Sequence, residues 1–84
     1  MQAQDILPDH ANDVQIDGTT IRKGTVGAFL HNAAVLRQAD VSDAQRQHAL
    51  NDILAALPAL KALGLFDTLE IRDPQLRDFV ESRL

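Results

Sequence analysis

The stretch Ile16-Asp-Gly-Thr-Thr-Ile-Arg-Lys-Gly-Thr-Val-Gly-Ala-Phe-Leu-His-Asn-Ala-Ala-Val-Leu36 decides how the rest of the chain is read. A two-residue Asp17-Gly18 loop suits a type I′ turn, whose two central residues both need positive φ. Closing that loop sets the pairing. Ile16 faces Thr19, Gln15 faces Thr20, Val14 faces Ile21 and Asp13 faces Arg22. Val14, Ile16, Thr19 and Ile21 then share one mostly apolar face, and Asp13, Gln15, Thr20 and Arg22 share the other. Asp13 opposite Arg22 adds a cross-strand charge pair. Two strands are marginal alone in water, so the hairpin needs a third strand or a helix beneath it.

Beyond Lys23-Gly24, Thr25 is expected to cap a helix that Val26 opens. Val26, Phe29, Leu30, Ala33 and Leu36 form a single apolar stripe at helical spacing. Gly27 in the first turn costs about 1 kcal/mol against alanine, and close packing on the hairpin would explain its presence. Asp40-Val41 breaks the helix. Ser42 and Gln45 then form a capping box, with Asp43 at the positive helix end. The second helix is predicted to run to Leu57, with Pro58 forcing a restart over 58–63 and Gly64 ending it. Asp67-Thr-Leu-Glu-Ile-Arg72 alternates with Leu69 and Ile71 inward, and reads as a third strand. Asp73-Pro74 pairs an N-cap with proline at the first helical position, and Leu76, Phe79, Val80 and Leu84 give the stripe of a last helix.

The expected fold is therefore α+β. A sheet of 13–17, 19–23 and 67–72 packs against three to four short helices near 25–38, 42–57, 58–63 and 74–83. Residues 1–12 read as an acidic, partly ordered arm with one short helical turn after Pro8, and 13–84 as a single domain. Eighty-four residues cannot bury two cores, since a chain this size hides roughly 60–65% of its unfolded surface.

Composition excludes whole classes of chemistry. The chain has no cysteine, which removes disulfides, thiolate metal sites and thiol catalysis. Its net charge is −4, and residues 1–17 carry Asp5, Asp9, Asp13 and Asp17 without a lysine or arginine. Such an acidic arm on a neutral body does not attract phosphate backbones, so nucleic acid is a poor partner. The Ile53–Leu60 run is far short of the ~20 apolar residues a membrane span needs. No basic start precedes an apolar segment, so a cytoplasmic location is expected.

Arg22, Lys23, Gly24, Thr25 and Gly27 place two cations and open backbone beside a helix start, which could hold a small anion. The order is not that of a phosphate-binding loop, where glycine leads into Lys-Ser/Thr. Asp13, Gln15, Asp17 and Gly18 mimic the start of a calcium loop, but Gly24 stands where the closing glutamate belongs. His10, His31 and His48 lack ligand spacing, so no metal and no cofactor is expected. No nucleophile or acid/base pair converges in the sequence, which argues against an enzyme. A helix-turn-helix around Asp40-Val41 would read bases with Gln45, Arg46 and His48, but the turn has no glycine and the chain is acidic.

What remains is a surface for association. The Ala49–Phe66 segment is richer in apolar side chains than a small sheet and short helices would cover. Leu50, Leu54, Leu57 and Leu60 are the interface candidates for a homodimer or another protein partner. The leading expectation is a non-enzymatic interaction or regulatory module that self-associates. The alternative is a binder of a small anionic ligand at the Arg22–Gly27 helix start.

Ile21-Arg-Lys-Gly-Thr-Val-Gly-Ala-Phe-Leu30, Leu63-Gly-Leu-Phe66 and Arg72-Asp-Pro74 together give the chain its family likeness. Over most of its length it resembles a group of small bacterial proteins of unknown function. The resemblance implies a bacterial, cytoplasmic, non-enzymatic protein, and it implies no activity, cofactor or catalytic residue.

Overall fold

The computed structural model describes residues 1–84. Its elements in chain order are α1 (Ala3–Ile6), β1 (Asp13–Ile16), β2 (Thr19–Arg22), α2 (Thr25–Arg37), α3 (Asp43–Leu63), α4 (Leu65–Thr68) and α5 (Pro74–Glu81). This is an α+β chain, mostly helical, with one two-stranded antiparallel sheet.

The hairpin forms in the expected register, Asp13 with Arg22, Val14 with Ile21, Gln15 with Thr20 and Ile16 with Thr19. Asp17 at φ 50° is the only non-glycine residue with positive φ, and Gly18 follows at 79°. Burial alternates along both strands, with Ile21 the one hairpin residue that is fully buried. β2 packs against α3, so a helix supplies the support that a lone hairpin lacks.

Three local signals capped helices where they were expected to. The Oγ of Ser42 accepts from Gln45 N at 3.1 Å while Gln45 Oε1 accepts from Ser42 N at 2.9 Å. Asp73 Oδ1 accepts from Gln75 N and Leu76 N at 2.9 and 3.4 Å, with Pro74 opening α5. Gly64, at φ 80°, takes up the last carbonyls of α3, those of Leu60 and Lys61.

Other expectations are corrected. Thr25 is the first residue of α2 rather than its cap, and Gly24 holds the cap position at φ 89°. Pro58 does not restart a helix. α3 runs through it from Asp43 to Leu63, because Ile53 and Leu57 before the proline and Leu60 after it are all core residues. Burying both halves against the same neighbours offsets the roughly 3 kcal/mol that an interior proline costs. The arm's helical turn precedes Pro8 instead of following it, while Ala11 N closes a separate turn on Pro8 O at 2.9 Å.

The largest correction is the third strand. Residues 67–72 join no sheet. Leu65–Thr68 is a single helical turn, and the segment beyond it is extended but unpaired. The turn lets Leu65 and Phe66 both cover the core, with Phe66 edge-on to Phe29. The carbonyl of Ile71 accepts from the Arg77 guanidinium at 3.2 Å, in place of a neighbouring strand. The chain has five helices rather than three or four, because α3 absorbs the expected 58–63 helix while Ala3–Ile6 and Leu65–Thr68 form short helices of their own.

Phe29 and Ala33 of α2, Ile53, Leu57 and Leu60 of α3, and Leu76 and Val80 of α5 form the core, where the two C-terminal elements close over the α2–α3 pair. That core is thin. The chain exposes 6042 Å² of surface, whereas a compact monomer of 9.2 kDa exposes about 4,900 Å². Its radius of gyration, 13.7 Å, likewise exceeds the ~12 Å of a compact domain of this length.

Candidate functional site

The Arg22–Gly27 corner is brought together by the fold, since β2 ends where α2 begins. Thr25 Oγ1 donates to Arg22 O at 2.6 Å, so the hydroxyl ties the strand end to the helix and caps nothing. The first turn of α2 has no side-chain cap and no acidic residue. Arg22 stands opposite Asp13 in the ladder, yet the two side chains form no ion pair. Lys23 is occupied. Its Nζ donates to Asp9 O and its backbone N donates to Asn12 O at 2.8 Å, so the lysine binds the N-terminal arm to the hairpin. A Cβ added at Gly24 or Gly27 would meet nothing within 4 Å. Gly27 is therefore not held by close packing on the hairpin. The corner is open, but one of its two cations is already used.

The four interface candidates lie along α3. Leu57 and Leu60 are 5% and 0% exposed within the single chain, and Leu54 packs half-buried against the same core. Leu50 is half-buried one turn nearer the start of the helix. Core residues of α2 and α5 already cover Leu57 and Leu60, while Leu50 and Leu54 keep part of their surface open.

The apolar surface left open lies elsewhere, between α2 and the segment 65–73. Val26, Leu30 and Leu69 are 37%, 60% and 58% exposed, and all three line one groove of about 320 Å³. Phe29 and Phe66 form part of its wall. Arg37, Glu70, Arg72 and Asp73 stand around it. Glu70 pairs with Arg77 at 3.2 Å and Asp73 caps α5, whereas Arg37 and Arg72 make no hydrogen bond or ion pair. The groove therefore offers an apolar floor with two unengaged guanidinium groups at its rim.

Sequence reading missed this groove because it placed Val26 and Leu30 on the buried stripe and Leu69 on the inner face of a strand. One signal was there. At ~100° per residue, Arg37 falls on the same edge of α2 as Val26 and Leu30, so that edge cannot be wholly core.

The polar residues that a base-reading helix would use are engaged locally. Gln45 serves the cap of α3, and Arg46 Nη1 donates to Leu36 O at 3.2 Å across the α2–α3 connection. His48 Nε2 lies 3.3 Å from Asp52 Oδ2 on the exposed side of α3. His31 and His48 line a shallow groove between α2 and α3 with Asn32, Gln38 and Gln45. No three His, Asp or Glu side chains converge as a metal site would require. No helix is long and apolar enough to cross a membrane.

Comparison with models of known protein families, with curated proteins and with solved structures finds no match to this chain.

Proposed function

We propose that this chain is a small, non-enzymatic interaction module of the cytoplasm that works by self-association. The groove carries the reading: Leu30 and Leu69, both more than half exposed, line one apolar surface that nothing in the chain covers. Apolar side chains gathered on one exposed surface, rather than scattered singly, favour an interface reading. The surface balance supports the same reading. The chain exposes roughly 1,100 Å² more than a compact monomer of its mass, and a stable interface takes about 800 Å² from each partner. A symmetric dimer is the commonest way for one chain to bury such a patch. Its polar groups meanwhile serve caps, turns and surface pairs instead of converging on a cavity, which supports a binding role over catalysis.

Light scattering coupled to size exclusion tests this directly. At tens of micromolar the chain should elute with twice its 9.2 kDa mass, and a monomer under those conditions rejects the proposal.

The alternative, a small-anion site at Arg22–Gly27, draws support from the uncapped start of α2 and the open space around Gly24 and Gly27. It is the weaker reading, since Lys23 is turned to the arm and only Arg22 is left to neutralise an anion. Titration with inorganic phosphate separates the two. Amide shifts confined to Lys23–Gly27 favour the anion site, and their absence removes it.

A further inference from the structure

Resting on the self-association reading, we infer that the Val26–Leu30–Leu69 groove pairs with the same groove of a second copy. The two are related by a two-fold axis that runs along the groove, which lays α2 of each chain over the 65–73 segment of the other.

The rim is balanced, with Arg37 and Arg72 against Glu70 and Asp73, so it favours neither an acidic nor a basic partner. All four groups have room to pair. Arg37 and Arg72 make no hydrogen bond or ion pair. Glu70 uses only Oε1 on Arg77, and Asp73 only Oδ1 on the start of α5, so each carboxylate keeps a second oxygen unpartnered. None of the four pairs with another within the chain, although all line one groove. A copy of the same surface matches this pattern charge for charge.

The direction of the axis follows from the two walls. α2 brings only a cation to the groove, Arg37, whereas the 65–73 segment brings Glu70, Arg72 and Asp73 and is net negative. An axis across the groove would stack α2 on α2 and segment on segment, like charge on like. An axis along it sets Arg37 of each chain toward the Glu70 and Asp73 carboxylates of the other, and makes that contact twice, as an isologous interface does. The face is also broad. Leu69 lines an adjoining cleft with Ile71 and Leu84, so Val26, Leu30, Leu69 and Leu84 border one continuous surface. These are four of the six large apolar residues that the chain exposes, and they gather where an interface of about 800 Å² per partner needs them.

A charge swap tests this on the full chain. Arg37 and Glu70 are both exposed, so neither substitution disturbs the core, and Arg77 keeps its bond to Ile71 O when Glu70 is changed. Circular dichroism on each variant checks that the fold is kept. Arg37→Glu alone sets two acids together at each contact, and Glu70→Arg alone sets two cations together. Each should dimerise at least about tenfold more weakly than the parent chain in light scattering. An equimolar mixture of the two should form mixed dimers, because both of its contacts are again complementary. The chain carrying Arg37→Glu and Glu70→Arg together should form dimers by itself for the same reason. If the parent chain dimerises and the single variants dimerise equally well, this arrangement is overturned while self-association stands. A mixture and a double variant no tighter than the single variants also overturn it, and a monomeric parent chain overturns both readings.

Discussion

The ring of Phe66 meets the ring of Phe29 edge-on, with centroids 5.9 Å apart and planes at 77°. This contact joins the single turn of α4 to the middle of α2, and it forms part of the wall of the exposed groove. Phe66 reaches Phe29 from the helical turn that follows Gly64, and residues 67–72 beyond that contact join no sheet.

Phe66→Ala removes the edge contact and about 1 kcal/mol of aromatic pairing with it. Adding the lost burial of a half-exposed ring, urea denaturation should show a loss of about 2–3 kcal/mol. A loss under 1 kcal/mol would mean that α4 is not fastened to α2 through this pair.

Gly27 and Gly64 should respond to alanine in opposite senses. Gly27 lies in the first turn of α2 with open space around it, so Gly27→Ala should stabilise by ~0.5–1 kcal/mol through a stiffer unfolded chain. Gly64 sits at φ 80°, where a side chain is strained, and Gly64→Ala should destabilise by about 1 kcal/mol or more. Thermal melts of the two variants check the contrast.

Leu30→Asp places a carboxylate in the groove at a position already 60% exposed. Folding stability should change by less than ~1 kcal/mol, since little burial is lost, while dimer mass in light scattering should fall to that of the monomer. Leu60→Ala is the control. It opens a cavity at a fully buried core position and should cost about 2–5 kcal/mol, unfolding much of the protein. A dimer that survives Leu30→Asp would place the interface elsewhere.

Lys23→Met removes the ammonium that holds Asp9 O but keeps the amide bonded to Asn12 O. Amide exchange in the arm around Asp9–Asn12 should quicken, with the hairpin amides unchanged. Equal exchange in both proteins would show that the lysine does not hold the arm.

How much of this was legible depends on range. The register of Asp13–Ile16 against Thr19–Arg22 follows from Asp17-Gly18 alone, and the caps at Ser42, Asp73 and Gly64 each involve residues within four positions of each other. Pro58 was misread because its local penalty is real, but core contacts on both sides outweigh it. The open corner at Arg22–Gly27 was visible as a constellation. The use of Lys23 was not, since its partner Asp9 lies 14 residues earlier.

By itself, then, the sequence determined the hairpin and its two faces, the caps at Ser42, Gly64 and Asp73, and the acidity of the arm, through composition and through interactions between residues close in the chain. Only the tertiary structure decided whether an alternating segment becomes a strand and which side of α2 faces water. Leu69 and Ile71 alternate as a strand should, but a strand needs an edge to pair with. The Phe29–Phe66 contact and the Arg77–Ile71 bond fill those roles first. Val26 and Leu30 belong to the same stripe as Phe29 and Ala33, and periodicity cannot tell how wide a stripe its partners will cover. That width is set by the small core of α3 and α5, and the part left over is the groove.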